Sequence, residues 1–177
     1  MSRDNRPRTK KEKPEYDQKL LDLARVTRVV KGGRRFRFRA SLVIGNRKGK
    51  VGVGVGKGAD VSDSIKKAYD DARKNLIDVP MQKNTIAHEV FIKMGSAKVM
   101  LKPAAKGRGI VAGGAVRAVV DYAGIKDIVS KSLGTANKLN VARATVKALE
   151  SLKAAKNREA RTGEKTERKA KDSAVIE

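Results

Sequence analysis

The 177-residue chain has no cysteine, no tryptophan and a single histidine, and only 3% of its residues are aromatic. Without cysteine there are no disulfides, thiolate nucleophiles or thiolate metal sites, and one histidine leaves little imidazole chemistry. His88 precedes Glu89 but has no second histidine four residues away, so the zinc-protease helix motif is missing. We therefore expect no catalytic residue, no metal and no cofactor.

Acidic residues are also scarce, since 19 aspartates and glutamates stand against 42 lysines and arginines, for a formal charge of +23. Self-repulsion makes such an imbalance unfavourable unless a polyanion, either nucleic acid or an anionic membrane, offsets it. No signal-peptide core and no apolar run of ~20 residues is present, so we expect a cytoplasmic, soluble protein that binds nucleic acid. Few aromatic platforms for base stacking favour contact with backbone and shape.

The most basic segment, KGGRRFRFR at residues 31–39, alternates arginine with apolar side chains. Alternate side chains of a strand lie on opposite faces. One face is expected to form a core from Phe36, Phe38, Ala40, Leu42 and Ile44. The other face would carry Arg35, Arg37 and Arg39, whose planar guanidinium groups match phosphate oxygens. An ordinary solvated sheet face is the alternative for this row.

The segments on either side extend the basic surface. A strand rich in β-branched residues is predicted at 25–30, and Gly32 and Gly33 would form the tight turn after it. A second turn, with basic residues at its tip, closes the arginine strand at 45–49. The candidate RNA-binding residues are Arg25, Arg28, Lys31, Gly32, Gly33, Arg34, Arg35, Arg37, Arg39, Lys48, Lys50 and Lys57.

The third predicted strand alternates valine with glycine over residues 51–56. Its valines would cover a core, while its glycines leave backbone bare on the opposite face, open either to RNA or to another protein element. A helix follows, capped by Asp60 or Ser62, because apolar residues recur at helical spacing. These residues are Ile65, Ala68, Tyr69, Ala72 and Leu76.

A glycine-rich segment at 106–117 forms the second candidate site. Its bare backbone can press against a partner, and the amides at the start of the next helix can meet an anion. The candidate protein-partner residues are Gly107, Arg108, Gly109, Gly113, Gly114 and Arg117. A nucleotide-binding enzyme loop is the alternative, but no general base, nucleophile or cluster of metal ligands surrounds it in the sequence.

The predicted fold class is α+β, in two units with basic flexible tails. Residues 1–19 are expected to form a disordered basic arm and residues 154–177 a charged tail. Between them, 20–79 would be an RNA-binding-like unit of three antiparallel strands and a helix, and 85–153 a β-β-α-β-α unit. The predicted strands of the second unit are at 85–94, 98–102 and 125–132, and its last helix is at 140–153. Its helices are expected to bury Val116, Val119, Val120, Ala123, Val141, Thr145, Ala148, Leu149 and Leu152.

Five segments, taken in order, resemble one protein family. They are VKGGRRFRF at 30–38, GKVGVGVGK at 49–57, KPA at 102–104, GIVAGGAVR at 109–117 and NVARAT at 140–145. Each segment is weak by itself, but five in register over residues 20–152 are specific. The chain therefore resembles the bacterial small-subunit ribosomal protein S5 family.

The resemblance implies a double-stranded-RNA-binding-like amino-terminal domain and a carboxy-terminal domain of the split β-α-β type. It also implies a place in the small ribosomal subunit, on rRNA near the junction of body and head, beside ribosomal proteins four and eight and close to the path by which mRNA enters. The turn at 31–34 would reach toward the head, in the region where spectinomycin acts. The segment at 107–117 would lie against protein four, at an interface linked to decoding fidelity.

Two positions depart from the family pattern. Ala24 stands where many relatives carry asparagine, and Lys138 replaces a common proline, so the turn before the last helix loses preorganisation and gains a charge. The predicted function is a structural component of the small subunit that binds rRNA through a basic sheet and hairpin, contacts neighbouring ribosomal proteins, and supports translational accuracy and body-head geometry. It is not predicted to be an enzyme, nor to bind a small-molecule substrate. A non-ribosomal duplex-RNA adaptor or RNA chaperone is the alternative.

Overall fold

Ten strands and three helices make up residues 15–152, the part of the chain that the computed structural model describes. In chain order they are β1 (Asp17–Val30), β2 (Gly33–Gly45), β3 (Lys50–Gly58), α1 (Val61–Lys74), β4 (Leu76–Asp78), β5 (Met81–Gln82), β6 (Thr85–Ile86), β7 (Val90–Met94), β8 (Ala97–Pro103), β9 (Ile110–Val111), α2 (Gly114–Ala123), β10 (Ile128–Leu133) and α3 (Lys138–Glu150). The predicted charged tail and most of the predicted arm lie outside the described residues. The mixed α+β class is confirmed.

The first sheet is antiparallel, with strand order β1-β2-β3-β4, and so has one strand more than predicted. The added strand, β4, pairs with the start of β3 directly after α1. Strand β1 begins at Asp17, inside the segment predicted as an arm and before the predicted strand start at Arg25. Its pairing with the whole of β2 explains this length, because strand formation depends on the partner strand as much as on local composition.

Helix α1 covers the glycine face of β3. A Cβ atom at Gly54 would collide with the carbonyl oxygen of Ala68, and one at Gly56 would collide with that of Ser64. The glycines therefore admit the backbone of α1, so the occupant of this bare face is a protein element and not RNA. Four residues of the predicted stripe lie on α1, where Ala68 and Ala72 are fully buried against β2, but the helix ends at Lys74 and the fifth residue, Leu76, packs on the same core from β4.

The opposite face of the first sheet is buried by the second half of the chain. Val43, Val51 and Val53 share one core cluster with Val119 of α2 and Leu149 of α3. Packing across this interface joins the two predicted units through a shared hydrophobic core, which is separate from the smaller core between α1 and β2. The row of guanidinium groups predicted for this face therefore ends at Arg39, beyond which the face becomes interior.

The β1–β2 pair projects beyond the rest of the first sheet. Pairing of β2 with β3 extends only as far as Phe38, so residues 25–37 form a two-stranded ribbon, which we call the ribbon. Phe36 lies in the ribbon and is 46% exposed. The predicted core placement is therefore wrong for Phe36, because no third strand or helix covers that part of the pair. The prediction is confirmed further along the strand, for Ala40, Leu42 and Ile44.

The second sheet has the order β7-β8-β10-β9, and β9 is parallel to β10 while the other pairs are antiparallel. It differs from the predicted unit in two ways. The strand predicted at 85–94 is divided, since β6 turns away to pair with β5, and β9 is an added short strand before α2. Helices α2 and α3 pack on one face of this sheet.

The nine residues predicted for the stripes of both helices are all buried, although Leu152 lies beyond the end of α3 at Glu150. Helix α3 starts at Lys138, two residues before its predicted start, since the Asn137 side chain caps it by accepting a hydrogen bond from the Leu139 amide at 3.1 Å. Within residues 15–152, no helix is long and apolar enough to cross a membrane.

Candidate nucleic-acid interface

One face of the ribbon and its base gathers five cations. In an antiparallel pair, residues that lie opposite each other point to the same side of the sheet. Arg28 lies opposite Arg35, Val26 opposite Arg37, and Arg39 opposite Lys57 of β3. The face defined by this register, which we call the arginine face, carries Arg28, Arg35, Arg37, Arg39 and Lys57.

A concavity of about 430 Å³ lies on the arginine face. Its walls include Arg28, Arg35, Arg37 and Lys57, and no acidic side chain lines it within the described residues. A concave surface lined by charge of one sign concentrates the field there and attracts counter-ions. The geometry therefore suits a chain of phosphates, which the planar guanidinium groups can bind through two oxygens at once.

Arg39 stands at the inner end of this face, where the ribbon joins the rest of the sheet. Its side chain is half-buried, and its Nε atom is buried without a hydrogen-bond partner among the described residues. Burying a polar group without a partner costs free energy. Arg39 therefore belongs to the arginine face but does not line the concavity.

Two of the predicted residues lie on the other face of the ribbon. The Arg25 guanidinium stacks on the Phe36 ring, with its Cζ atom 3.6 Å from the ring centroid. Arg34 lies opposite Val29 on the same side. The predicted RNA-binding set is therefore divided by the sheet, and Arg25 is oriented by a cation–π contact that exposes the far side of its guanidinium group.

Three more predicted residues form the tip of the ribbon. Lys31, Gly32 and Gly33 are all exposed, and a Cβ atom at either glycine would meet nothing within 4 Å. Gly33 has a φ of +147°, which side-chain-bearing residues rarely adopt, so the turn requires glycine there. The tip is thus open on every side to a partner that approaches closely.

Lys48 and Lys50 lie at the opposite end of β2, about 40 Å from the tip for a strand of this length. Both amides donate to the Asn46 side chain, at 2.8 and 3.0 Å, and the Lys50 ammonium lies 3.9 Å from Asp78. The turn is anchored to the second half of the chain, because the Arg47 amide donates to the Tyr122 carbonyl at 3.0 Å. These two lysines do not join the arginine face.

The glycine-rich segment of the second candidate site is organised by a carboxylate that the sequence did not single out. Asp127 is buried, and its Oδ1 atom accepts hydrogen bonds from the amides of Gly107 at 3.0 Å and Gly109 at 2.9 Å. Both glycines have positive φ, so the loop needs them as well as the carboxylate. A usable signal was present, since Asp127 is the one acidic residue between Asp121 and Glu150 and stands at the head of an apolar strand.

The start of α2 borders a cleft of about 590 Å³ between the two halves of the chain. Gly113, Gly114 and Arg117 line it, and a Cβ at either glycine would meet nothing within 4 Å. Sequence reasoning missed the cleft's other wall, where Lys138 binds Asp22 of β1 with Nζ and Oδ1 3.0 Å apart. The charge gained at Lys138 thus bridges α3 and the first sheet.

Comparison with known proteins places both halves of the chain in related families. Residues 16–80 match the model described as "Ribosomal protein S5, N-terminal domain", and residues 92–162 match "Ribosomal protein S5, C-terminal domain". Relatives from Campylobacter jejuni subsp. jejuni strains 81-176 and 81116, each named "Small ribosomal subunit protein uS5", are 55% identical over 139 residues. These matches cover 78% of this chain and 95% of each relative.

Proposed function

The chain belongs to the ribosomal protein S5 family, and on that basis we propose that it binds the rRNA of the small ribosomal subunit through the ribbon and holds neighbouring proteins through its second half. Membership of this family makes it a structural, non-enzymatic protein of the cytoplasmic ribosome. Its partners are accordingly small-subunit rRNA and other ribosomal proteins. The residue assignments are our proposal.

The observation that carries the RNA assignment is the ribbon itself. Residues 25–37 contain six arginines and lysines and no acidic residue. Arg28 and Arg35 lie directly opposite each other, an arrangement that is unfavourable without an anion between or above them. A two-stranded ribbon is marginally stable in water by itself. RNA phosphates would neutralise the charge and order the ribbon in a single step.

Within the ribbon, the two faces take different parts of the RNA. The arginine face contacts phosphates in its concavity, and Lys31 and the glycine tip approach the RNA backbone closely. Arg25 and Arg34 contact whatever RNA lies on the opposite side. Lys48 and Lys50, at the far end of β2, make a separate phosphate contact.

The second half of the chain contacts proteins through Gly107, Arg108, Gly109, Gly113, Gly114 and Arg117. Support comes from the Asp127 hydrogen bonds, which hold the loop in one shape, and from the open space around its glycines. A rigid, bare backbone suits a close protein contact because little ordering is needed on binding. By family likeness the partners are ribosomal proteins four and eight, and the site supports decoding accuracy and body-head geometry near the mRNA path.

We also propose a fold type for each of the two units. The three long antiparallel strands followed by α1, with the short β4 added after them, support a double-stranded-RNA-binding-like domain at about 20–79. In the second unit, at about 85–153, β7 and β10 are parallel with β8 between them, which supports the split β-α-β type.

The RNA contact can be tested by the salt dependence of binding to small-subunit rRNA. Removing one phosphate interaction reduces the slope of log K against log salt by about 0.7 to 0.9. The double substitution Arg35→Gln with Arg37→Gln should therefore flatten the slope by about 1 to 2 units. A matched control, Lys66→Gln with Lys67→Gln on the exposed side of α1, removes the same charge away from the ribbon and should change the slope less.

An unchanged slope in the ribbon variant would remove the arginine face from the proposal. Sedimentation separates the ribosomal function from that of a free duplex-RNA adaptor or chaperone. A ribosomal protein stays with small subunits at high salt, whereas an adaptor held by surface charge is washed off.

A further inference from the structure

The second sheet has one face that no described residue covers. Helices α2 and α3 both pack on the side of Val99, Leu101 and Ile128. The other side carries the alternate side chains of the same strands, and we call this surface the open face. Its residues are Phe91 and Lys93 of β7, Lys98, Met100 and Lys102 of β8, Val129, Lys131 and Leu133 of β10, and Val111 of β9. The register aligns them in rows across the strands, such as Phe91, Met100 and Lys131.

The open face is apolar at its centre. Phe91 is 59% exposed, Val111 49% and Leu133 44%, while Met100 and Val129 between them are half-buried. Phe91 pairs with Met100 and Val111 pairs with Val129, and Met100 lies diagonally between Val129 and Leu133, within reach of long side chains. Contiguous apolar side chains on a protein surface mark an interaction site, whereas isolated ones do not.

Lysines border this apolar centre and, at Lys131, stand within it, and few acidic groups compensate their charge. Lys93 lies directly opposite Lys98, on the same face, and Lys131 is two residues from Leu133 on β10. The Glu89 carboxylate lies 3.3 Å from the Lys102 ammonium group, and these two residues form the single ion pair of the open face among the described residues. Like charges opposite each other on neighbouring strands are destabilising, so this arrangement calls for acidic groups from a partner.

We propose that the open face docks another protein of the small subunit, through a surface with an apolar centre and with carboxylates opposite Lys93, Lys98 and Lys131. The inference rests on the proposed function for the setting of that partner. It concerns a different surface from the glycine-rich segment at 107–117. Burial of the apolar centre would supply the affinity, and the lysines would fix orientation and exclude basic partners.

Charge excludes other occupants of the open face. A second copy of this chain would bring lysines against lysines. The two ends outside the described residues also carry more basic than acidic side chains, since residues 153–177 have eight against five. RNA would meet the charge of the lysines, but the aliphatic residues around Phe91 offer no flat surface for base stacking.

Zero-length carbodiimide crosslinking of intact small subunits tests the proposal, because this reagent joins a lysine amine only to a carboxylate in contact with it. Mass spectrometry should find Lys93, Lys98 or Lys131 joined to an aspartate or glutamate of another subunit protein. The same amines should react with acetic anhydride about tenfold more slowly in the subunit than in the free chain, because pairing with the partner's carboxylates occupies them. Lys66 and Lys67 serve as control lysines.

The variant Phe91→Ser with Leu133→Ser shortens two exposed side chains, so the free chain should keep its fold by circular dichroism. In subunits containing it, the carboxylate crosslinks should disappear while co-sedimentation through the ribbon remains. Ultraviolet crosslinks from the open face to rRNA without a carboxylate crosslink would overturn the proposal, as would unprotected amines. A chain that fails to sediment with subunits would refute the proposed function and this inference together.

Discussion

The two sheets of this protein are covered to different extents, and the difference locates their binding surfaces. At its inner end, the first sheet is buried on both faces, by α1 against its glycines and by α2 and α3 against its valines. It can therefore offer a partner little except the ribbon that projects beyond its third strand. The second sheet is covered on one face only, so its surface comes from the middle of the sheet.

The chemistry of the two surfaces differs accordingly. The ribbon gathers arginines on one face and has its exposed Val29 and Phe36 on the other, whereas the open face presents lysines and apolar side chains together. Guanidinium groups bind phosphate oxygens in pairs and stack on flat groups, while lysine ammonium groups act as point charges. A polar, bidentate surface fits RNA, and an apolar surface rimmed by point charges fits protein.

The largest expected effect concerns the doubly covered end of the first sheet. Gly54→Ala places a Cβ atom against the Ala68 carbonyl and the Ala72 amide of α1, neither of which can move without shifting the helix. We expect the free energy of unfolding to fall by about 3 kcal/mol or more. Urea unfolding followed by circular dichroism measures this change.

The control is Gly32→Ala at the ribbon tip, where a Cβ atom would meet nothing within 4 Å. It should alter stability by less than about 0.5 kcal/mol. Equal costs for the two substitutions would show that the close packing of α1 on the glycine face does not govern the stability of this sheet.

The next effect concerns the edge of the second sheet. Asp127→Ala leaves the amides of Gly107 and Gly109 without their acceptor, beside a buried position. Loss of these bonds should cost about 1 to 3 kcal/mol and loosen the loop. Hydrogen exchange at the two glycine amides measures the loosening directly.

Asp127→Asn is the matched variant, because it keeps a side-chain oxygen that can accept the same bonds. It should retain most of the protection at Gly107 and Gly109. If Asp127→Ala left hydrogen exchange unchanged, the loop would be held by its own backbone, and its rigidity could not be credited to Asp127.

Features set by neighbouring residues could be predicted from the sequence, whereas features set by distant residues could not. Helical spacing identified the buried residues of α2 and α3, and alternation along β2 assigned side chains to the correct faces. Phe36 was misplaced because burial depends on where β3 stops pairing, which the pattern of β2 does not encode. The first eight residues of β1 were missed because their strand character comes from a partner about 20 residues away.

The ribbon and the open face also differ in how far they could be predicted from the sequence. Six cations of the ribbon are close in sequence, so their count alone pointed to a polyanion. The open face is assembled from four strands between Phe91 and Leu133, and its lysine pair becomes visible only when β7 and β8 are in register. Asp127 was missed for the same reason, since its two partners lie 18 and 20 residues away.

A third prediction tests whether the ribbon needs guanidinium groups or only charge. The double substitution Arg35→Lys with Arg37→Lys keeps the charge but removes the planar donors. Affinity for small-subunit rRNA should fall about tenfold, or about 1.4 kcal/mol, while the salt slope stays unchanged. Filter binding over a range of salt concentrations gives both quantities.

Lys98→Arg is the corresponding change on the open face and should leave assembly into subunits unaltered, because a point charge is sufficient there. A ribbon that tolerated lysine without loss of affinity would remove the chemical distinction between the two surfaces. Their difference would then be one of position only.

The smallest effect is a gain in stability on the open face of the free chain. Lys98→Gln removes the repulsion between Lys98 and Lys93, which lie opposite each other on β8 and β7. The free energy of unfolding at low salt should rise by roughly 0.2 to 1 kcal/mol. The gain should shrink as salt is added, because screening already weakens the repulsion in the unmodified chain.

Lys66→Gln is the control of opposite sign. Lys66 has Asp70 four residues after it and Asp63 three residues before it on α1, so its removal should lower the free energy of unfolding by a few tenths of a kcal/mol. If Lys98→Gln instead destabilised the free chain at every salt concentration, the lysine pair would not be held under repulsion, and the case for an acidic partner would rest on the apolar centre alone.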